Sequence, residues 1–476
     1  MTATVTEWET VIGLEVHAEL RTATKLFCGC RNRFGDEPNT SVCPVCLGLP
    51  GSLPVLNRMA VEYAMRIGTA LHCRIQRSIF HRKNYFYPDM PKDYQISQYD
   101  LPINIDGWLE LPGGRRIGVV RAHMEEDTGK TTHVGGGGRI HDAGYSLVDY
   151  NRAGVPLVEI VSAPDLRSAD EARAYVEELR AILVATGASD GKMEEGSLRV
   201  DANVSIRPAG SPDFGTRCEI KNLNSLRSLG RAIDFEASRQ ARVLEEGGRV
   251  VQETRHWDEA SGRTGSMRSK EEAYDYRYFP EPDLVPVEPS GEWVAAAAAA
   301  IPALPAARRA GVATASGLDA GADAVITVVR LDLDHYIDTV AAAGGDAALA
   351  VRRLANEVAA DIESIERLTV PAFVRLVAME TDGSLTTAQA RTVLKELLAS
   401  GGDPDAVAAR LGFEAMGADD LAAVVDRVIS EHPPEWERYR AGEDKLTGFF
   451  VGHIKTATDG NADLKAASAL LRARRE

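Results

Sequence analysis

Polar and apolar residues alternate in two long segments of the first half of the chain. In GLEVHAEL (13–20), Leu14, Val16 and Ala18 fall on one side and Glu15, His17 and Glu19 on the other, the period of a strand with one buried face. LRVDANVSI (198–206) sets Leu198, Val200, Ala202, Val204 and Ile206 against Arg199, Asp201, Asn203 and Ser205. A third segment, PLVEIV (156–161), is apolar except for Glu159. Helix signals lie between and after these strands. Ser168 and Glu171 fit a capping box, Leu179, Ile182 and Leu183 supply an apolar face, and Gly187 stops the helix. A second helix is expected from about Ser225 to Gly247. The pattern predicts an α+β fold: a largely antiparallel sheet with helices on its apolar face. The other face is left open and carries carboxylates, amides and a histidine.

The pattern changes at Val294. Alanine becomes dominant, aromatics thin out and helical periodicity takes over, which marks a domain boundary. A second break is expected at ASGGDPDA (399–406), where glycines and a proline end a helix carrying Val393, Leu394, Leu397 and Leu398. The reading is a sheet-based domain over 1–292, an all-α helical domain over 293–405 and a small α-helical tail domain over 406–476. A length of 476 residues agrees with about three domains. The VGGGG run at 134–138 is expected to be a loop tip.

Composition narrows the function classes. With 44% hydrophobic and 26% charged residues, a folded chain is expected. MTATVTEWET has neither the basic start nor the apolar core of a signal peptide. The longest apolar stretch, Val294 to Ala307, is broken by Pro302 and Pro305, so no membrane helix and a cytoplasmic location are expected. A net charge of −16 argues against a broad nucleic-acid surface, leaving only a local patch for any RNA.

The chemistry concentrates in short motifs. HMEEDTGKTTH (123–133) ends in Gly129-Lys130-Thr131, like a phosphate-binding loop, but Met124 stands where the motif needs its first glycine. The carboxylates remain. Mg²⁺ takes one or two protein carboxylates plus waters and substrate phosphates. Glu15, Glu126 and Glu159, with His17 beside them, supply such a set if their strands converge. The alternative is ordinary surface charge, except at Glu159, where a carboxylate inside an apolar strand is costly unless paired or metal-bound.

Cys28, Cys30, Cys43 and Cys46 have the spacing C-x-C-x₁₂-C-x₂-C, which suits a tetrahedral structural Zn²⁺. Two pairs of plain thiols are the alternative. RKNYFYPDMPKDY (82–94) interleaves Arg82, Lys83 and Lys92 with Tyr85, Phe86, Tyr87 and Tyr94. Such a segment either holds unpaired bases and phosphates or packs its rings into the core.

Longer matches identify a family. VIGLEVHAEL, HRKNYFYPDMPKDYQISQYD, HMEEDTGK, YSLVDYNRAGVPLVEIVSAPDLRS, KMEEGSLRVDANVSI, EIKNLNSLRSL and DYRYFPEPDL run in order from residue 11 to about 284. Together they resemble the B subunit of the bacterial tRNA-dependent amidotransferases (GatB), and GEDKLTGFFVGHIKTATDGNADLKAASALL (442–471) resembles that family's tail. Residues 293 to 400 match by helical character more than by sequence.

The resemblance implies a cradle-like catalytic domain of the glutamine synthetase and guanido kinase type, a helical domain and a tRNA-binding tail. It implies work in a heterotrimer with an amidase (A) subunit, which releases ammonia, and a small (C) subunit. ATP would phosphorylate the side-chain carboxylate of Glu on Glu-tRNA(Gln) or Asp on Asp-tRNA(Asn), and ammonia would then displace the phosphate. It places Mg²⁺ on Glu15, His17, Glu126 and Glu159. Arg199, Asp201, Asn203, Lys221, Asn222 and Asn224 fall at the nucleotide and acyl end of the cleft; in such a protein the RNA-holding reading of segment 82–94, taken from its residues and not from the resemblance, would set Lys83 and Tyr85 at the tRNA's acceptor end. In the tail, His453 replaces a common Gln and Asp459 and Asp463 lower the basicity; Arg472, Arg474 and Arg475 are expected to compensate.

Three other readings compete. A self-contained amidotransferase would need a glutaminase nucleophile, and neither an N-terminal cysteine nor a G-x-C-x-G elbow is present. A non-catalytic tRNA scaffold would not need Glu15, Glu126 and Glu159. A free-standing carboxylate–amine ligase would not need two helical appendages.

Overall fold

The computed structural model describes residues 7–135, 143–267, 276–413, 418–458, 462 and 464–475. Gly136 to Gly138 of the expected loop tip, and Asp459 and Asp463 of the tail, lie outside them. The chain divides into two compact units, residues 1–306 and 307–476.

The first unit is built on a sheet of short and long strands. In chain order they are β1 (Trp8–Glu19), β2 (Arg74–Ile75), β3 (His81–Asn84), β4 (Tyr94–Ser97), β5 (Asn104–Glu110), β6 (Arg116–Glu126), β7 (Lys130–Val134), β8 (Tyr145–Asp149), β9 (Pro156–Ser162), β10 (Leu198–Pro208), β11 (Cys218–Leu223), β12 (Thr254–Asp258), β13 (Arg263–Ser266) and β14 (Phe279–Pro280). The main sheet runs β13-β12-β11-β10-β1-β9-β6-β4-β3-β14, with β5 on β6 and β2 on β5; β7 and β8 form a separate ribbon. Its pairs are antiparallel except β11 with β12. The expected strands form the centre: GLEVHAEL lies in β1, PLVEIV in β9 and LRVDANVSI in β10.

Alternation decides the faces. Ile12, Leu14, Val16 and Ala18 of β1 are fully buried, as are Val200, Ala202 and Val204 of β10 and Ala122 and Met124 of β6. Against them pack α1 (Arg58–Ala70), α2 (Ala169–Ala185), α3 (Leu226–Glu245) and α4 (Gly291–Ala299). Each fully buried Leu, Ile or Val contributes about 1.5–3 kcal/mol, so this shared core fixes which strand face is left open. The caps hold the helices to length. Ser168 accepts from the Glu171 amide at the start of α2, although Glu171 reaches back to the Arg167 amide rather than to Ser168. Ser225 caps α3 at the Ser228 amide. Gly187 and Gly247 follow the two helices with φ of +71° and +77°, a conformation only glycine adopts without strain.

Outside the sheet, the second unit is helical. Val393, Leu394, Leu397 and Leu398 are buried on helix Thr387–Ser400, which ends at Gly401 as expected. Val407 and Ala408, beyond the glycines, still belong to the same core, while Leu421, Val425, Tyr439, Phe450 and Ile454 form another. Among the described residues no helix is long and apolar enough to cross a membrane.

Candidate functional site

Register assembles the site on the open face of the sheet. Across β10, β1, β9 and β6, Arg199 stands opposite His17, His17 opposite Glu159, and Glu159 opposite His123. One step along, Asp201 faces Glu15. Paired residues on one face are neighbours, so four strands bring these polar groups together although they are far apart in sequence. His17 Nε2 lies 3.3 Å from Glu159, 3.7 Å from Glu15 and 3.7 Å from Glu125. Behind them the buried His123 places Nε2 3.8 Å from Glu125 and Nδ1 3.9 Å from Glu159. Two sets of donor atoms, Glu15–His17–Glu159 and His123–Glu125–Glu159, each lie within 4.8 Å of one another.

The cluster is electrostatically tense. Burial alone would lower the basicity of His17, but the hydrogen bond with Glu159 and the charges of Glu125, Glu159 and Glu15 raise its pKa to about 9. Burial would raise Glu159, yet His123, His17 and Arg121 hold it below the usual carboxylate range. Glu15 is pushed up by burial and by the charge of Glu159. Carboxylates crowded round imidazoles are a donor set for a divalent cation, which would relieve their mutual repulsion. The buried His123 Nδ1 has no hydrogen-bond partner among the described residues, consistent with a site made for a further group.

Glu126 is not in this cluster, contrary to expectation. The side-chain period in a strand is two, so Glu126 shares a face with Met124 and Ala122, opposite to Glu125 and His123. It forms a buried ion pair with Lys92 and accepts from the Ile96 amide at 2.8 Å. Glu125, its neighbour in sequence, occupies the place expected of Glu126. Alternation through HMEED could have chosen between the two, had the register of β6 against β9 been known. His123 was missed because a lone histidine gives no signal without its cross-strand partner.

The remaining residues divide. Lys221 pairs with Asp201, next to Glu15, and with Glu219 at 3.1 Å. Arg199 is bound to Asp127 and to Glu19, and Arg152 also meets Asp127 at 3.2 Å. Burial and Asp127 push Glu19 up to about 7. Asn203 lies on the same strand face beside Gly13. Asn222 is instead tied to the Trp257 carbonyl, and Asn224 donates to Asn222, so these hydrogen bonds run along β11 and β12 rather than into the cluster. Lys83 lies over the Tyr276 ring and Tyr85 against Tyr87.

The four cysteines converge as well. The sulfurs of Cys28, Cys30, Cys43 and Cys46 lie within 4.8 Å of one another, with Cys43 and Cys46 3.9 Å apart. Cys46 is lowered to about 5 by its bond with Cys28, helped by Lys25. Four sulfurs so placed can form a four-thiolate metal site, compatible with structural zinc.

Fold and site together define an α+β protein whose large sheet carries a histidine–carboxylate cluster of the kind that holds a divalent cation. The chain belongs to the GatB family: residues 10–295 match the GatB/GatE catalytic domain and residues 335–474 the GatB domain. It is similar to three proteins each named as the B subunit of an aspartyl/glutamyl-tRNA(Asn/Gln) amidotransferase. That of Frankia casuarinae is 53% identical, with 98% of this chain and 95% of the relative covered. Those of Moorella thermoacetica and Carboxydothermus hydrogenoformans are 50% and 48% identical, with 98% of this chain and 100% and 98% of the relatives covered.

Proposed function

We propose that this chain is the activating subunit of a tRNA-dependent amidotransferase. With ATP it phosphorylates the side-chain carboxylate of Glu on Glu-tRNA(Gln), of Asp on Asp-tRNA(Asn), or of both. Ammonia then displaces the phosphate to give the amide. The observation that carries the reading is the cluster of Glu15, His17, Glu125 and Glu159 on the open face, in a chain similar over nearly its whole length to proteins named for that activity.

The chemistry explains the residues. A carboxylate is a poor acceptor for ammonia until phosphorylation provides a leaving group. Phosphoryl transfer depends on positioning and charge neutralisation more than on a protein nucleophile. Glu15, His17, Glu125 and Glu159 would hold Mg²⁺, with His123 behind them; the cation, when bound, neutralises phosphate charge. Arg199 and Lys221 stand at the flank of the cluster as phosphate-facing cations, each kept in place by acidic partners. Asp201 orients Lys221, and Asn203 lines the same face. The Lys221 ammonium, several strands away in the sheet, is among the charges acting on the Tyr85 hydroxyl, which supports a sheet curled into a cradle round the cluster.

A partner amidase (A) subunit, with a small (C) subunit, would supply ammonia, and the cysteine quartet would hold a structural Zn²⁺. The second unit would serve as a helical domain and a tRNA-binding tail. The test is amide formation on each mischarged tRNA, with and without the amidase and ATP. Glutamine-dependent activity without the amidase would overturn this division of labour.

A further inference from the structure

Tyrosines from three separate segments gather at one flank of the sheet. Tyr85 and Tyr87 follow β3, Tyr99 follows β4, and Tyr276 and Tyr278 precede β14. Tyr99 and Tyr278 stack face to face, with centroids 4.0 Å apart and planes within 10°. Tyr276 meets Tyr278 edge-on at 6.2 Å, and Tyr85 lies 4.7 Å from Tyr87. Lys83 Nζ sits 4.7 Å over the Tyr276 ring. The far segment is fastened in place: Asn84 Nδ2 donates to the carbonyls of Tyr276 and Arg277 at 2.9 and 3.0 Å, and Phe279 pairs with Arg82.

A core would bury such rings, yet Tyr87 and Tyr99 remain about half exposed, at 51% and 48%. The group also borders the carboxylate cluster. Tyr99 follows β4, which pairs with β6 where Ser97 stands opposite Glu125.

Resting on the function proposed above, we propose that Tyr85, Tyr99, Tyr276 and Tyr278, with Lys83, form a stacking platform for the unpaired bases at the 3′ end of the charged tRNA. Every base offers a π-face, and aromatic rings with an adjacent cation bind single strands without reading their sequence. The amino acid is esterified at that 3′ end, so a base held beside Tyr278 brings the acyl side chain to Glu125 and Glu159. Several rings from three segments suit successive bases of a strand, whereas a mononucleotide has one base to stack.

The test compares the full chain with its Tyr278→Leu, Tyr99→Leu and Tyr278→Phe variants. Affinity is measured for mischarged tRNA and for the same tRNA shortened by its single-stranded 3′ end, together with the KM for ATP. Each Leu variant is expected to bind intact tRNA roughly tenfold more weakly. It should bind the shortened tRNA and ATP as the wild type does, and Tyr278→Phe should keep wild-type affinity. Equal weakening on both RNAs, a raised KM for ATP in place of weaker RNA binding, or unchanged affinity in both Leu variants would overturn the platform. Wild-type amide formation separates the two claims. If it proceeds while the Leu variants bind normally, only the platform fails; if it is absent, the proposed function fails and takes the platform with it.

Discussion

A single residue step separates two glutamates with opposite tasks. Glu125 faces His17 and His123 on the open side, while Glu126 faces the core and neutralises Lys92. Removing either should abolish amidation, for different reasons. Glu125→Ala removes one of several carboxylates crowded together and so relieves their mutual repulsion; the thermal midpoint should stay near that of the wild type while Mn²⁺ binding, followed by electron paramagnetic resonance, weakens at least tenfold. Glu126→Ala strands a buried ammonium, at a cost of about 3–5 kcal/mol, and should be seen first as a lower midpoint in chemical denaturation. A Glu126→Ala variant that is fully stable yet unable to bind the cation would reverse these roles. The carboxylates were legible in the sequence as chemistry, because Glu159 in an apolar strand demands a partner. The choice between adjacent glutamates was not, since it depends on cross-strand register, which a short acidic run does not encode.

Among the elements, the long ones were readable and the short ones were not. β1, β9 and β10 show their faces by alternation, and α2 and α3 carry their own caps and stops. β3, β4 and β14 are two to four residues long and polar or aromatic, and they are held by pairing rather than by pattern. The tyrosine flank was therefore half visible: RKNYFY announced itself, but its approach to residues 276–278 did not. The anchoring of α3 can be tested directly. Glu236, fully buried on α3, bonds to Arg239, Gln240 and Thr264 and lies 3.4 Å from Arg255 of β12. Burial would raise its pKa, but the bonds from Arg239 and Gln240 hold it below the usual carboxylate range. A depressed carboxylate stabilises the fold above its unfolded pKa and loses that contribution as pH falls through the folded value. Acid denaturation below about pH 4.3, the ordinary value of a glutamate, should therefore be less steep in Glu236→Gln than in the wild type. Ser225→Ala, which removes the α3 cap and the bond to the Ser228 hydroxyl, should cost about 1 kcal/mol in urea unfolding.

For the whole molecule, the change of composition at Val294 marked the passage from sheet to helices, although α4 still packs in the core of the first unit. The tail was less legible. Arg474 and Arg475 were expected to offer charge to RNA, but they pair with Asp426 and Asp444 within the tail. Charge counting cannot foresee such pairing. The cysteine quartet was legible because its spacing suits a four-thiolate site, and the folded chain brings the four sulfurs within 4.8 Å of one another. Metal analysis of the purified chain should find one zinc per chain, and Cys43→Ser with Cys46→Ser should abolish it; zinc-free wild-type protein would refute the site.

The role proposed for the cluster of Glu15, His17, Glu125 and Glu159 is to support activation of an aminoacyl side chain by ATP. The most direct measurement supplies ammonium chloride in place of the amidase and follows amide formation on mischarged tRNA, comparing wild type with Glu125→Gln. Amidation is expected to require ATP in the wild type and to fall at least a hundredfold in Glu125→Gln, with tRNA affinity retained. Amidation without ATP, or wild-type activity in Glu125→Gln, would contradict that role.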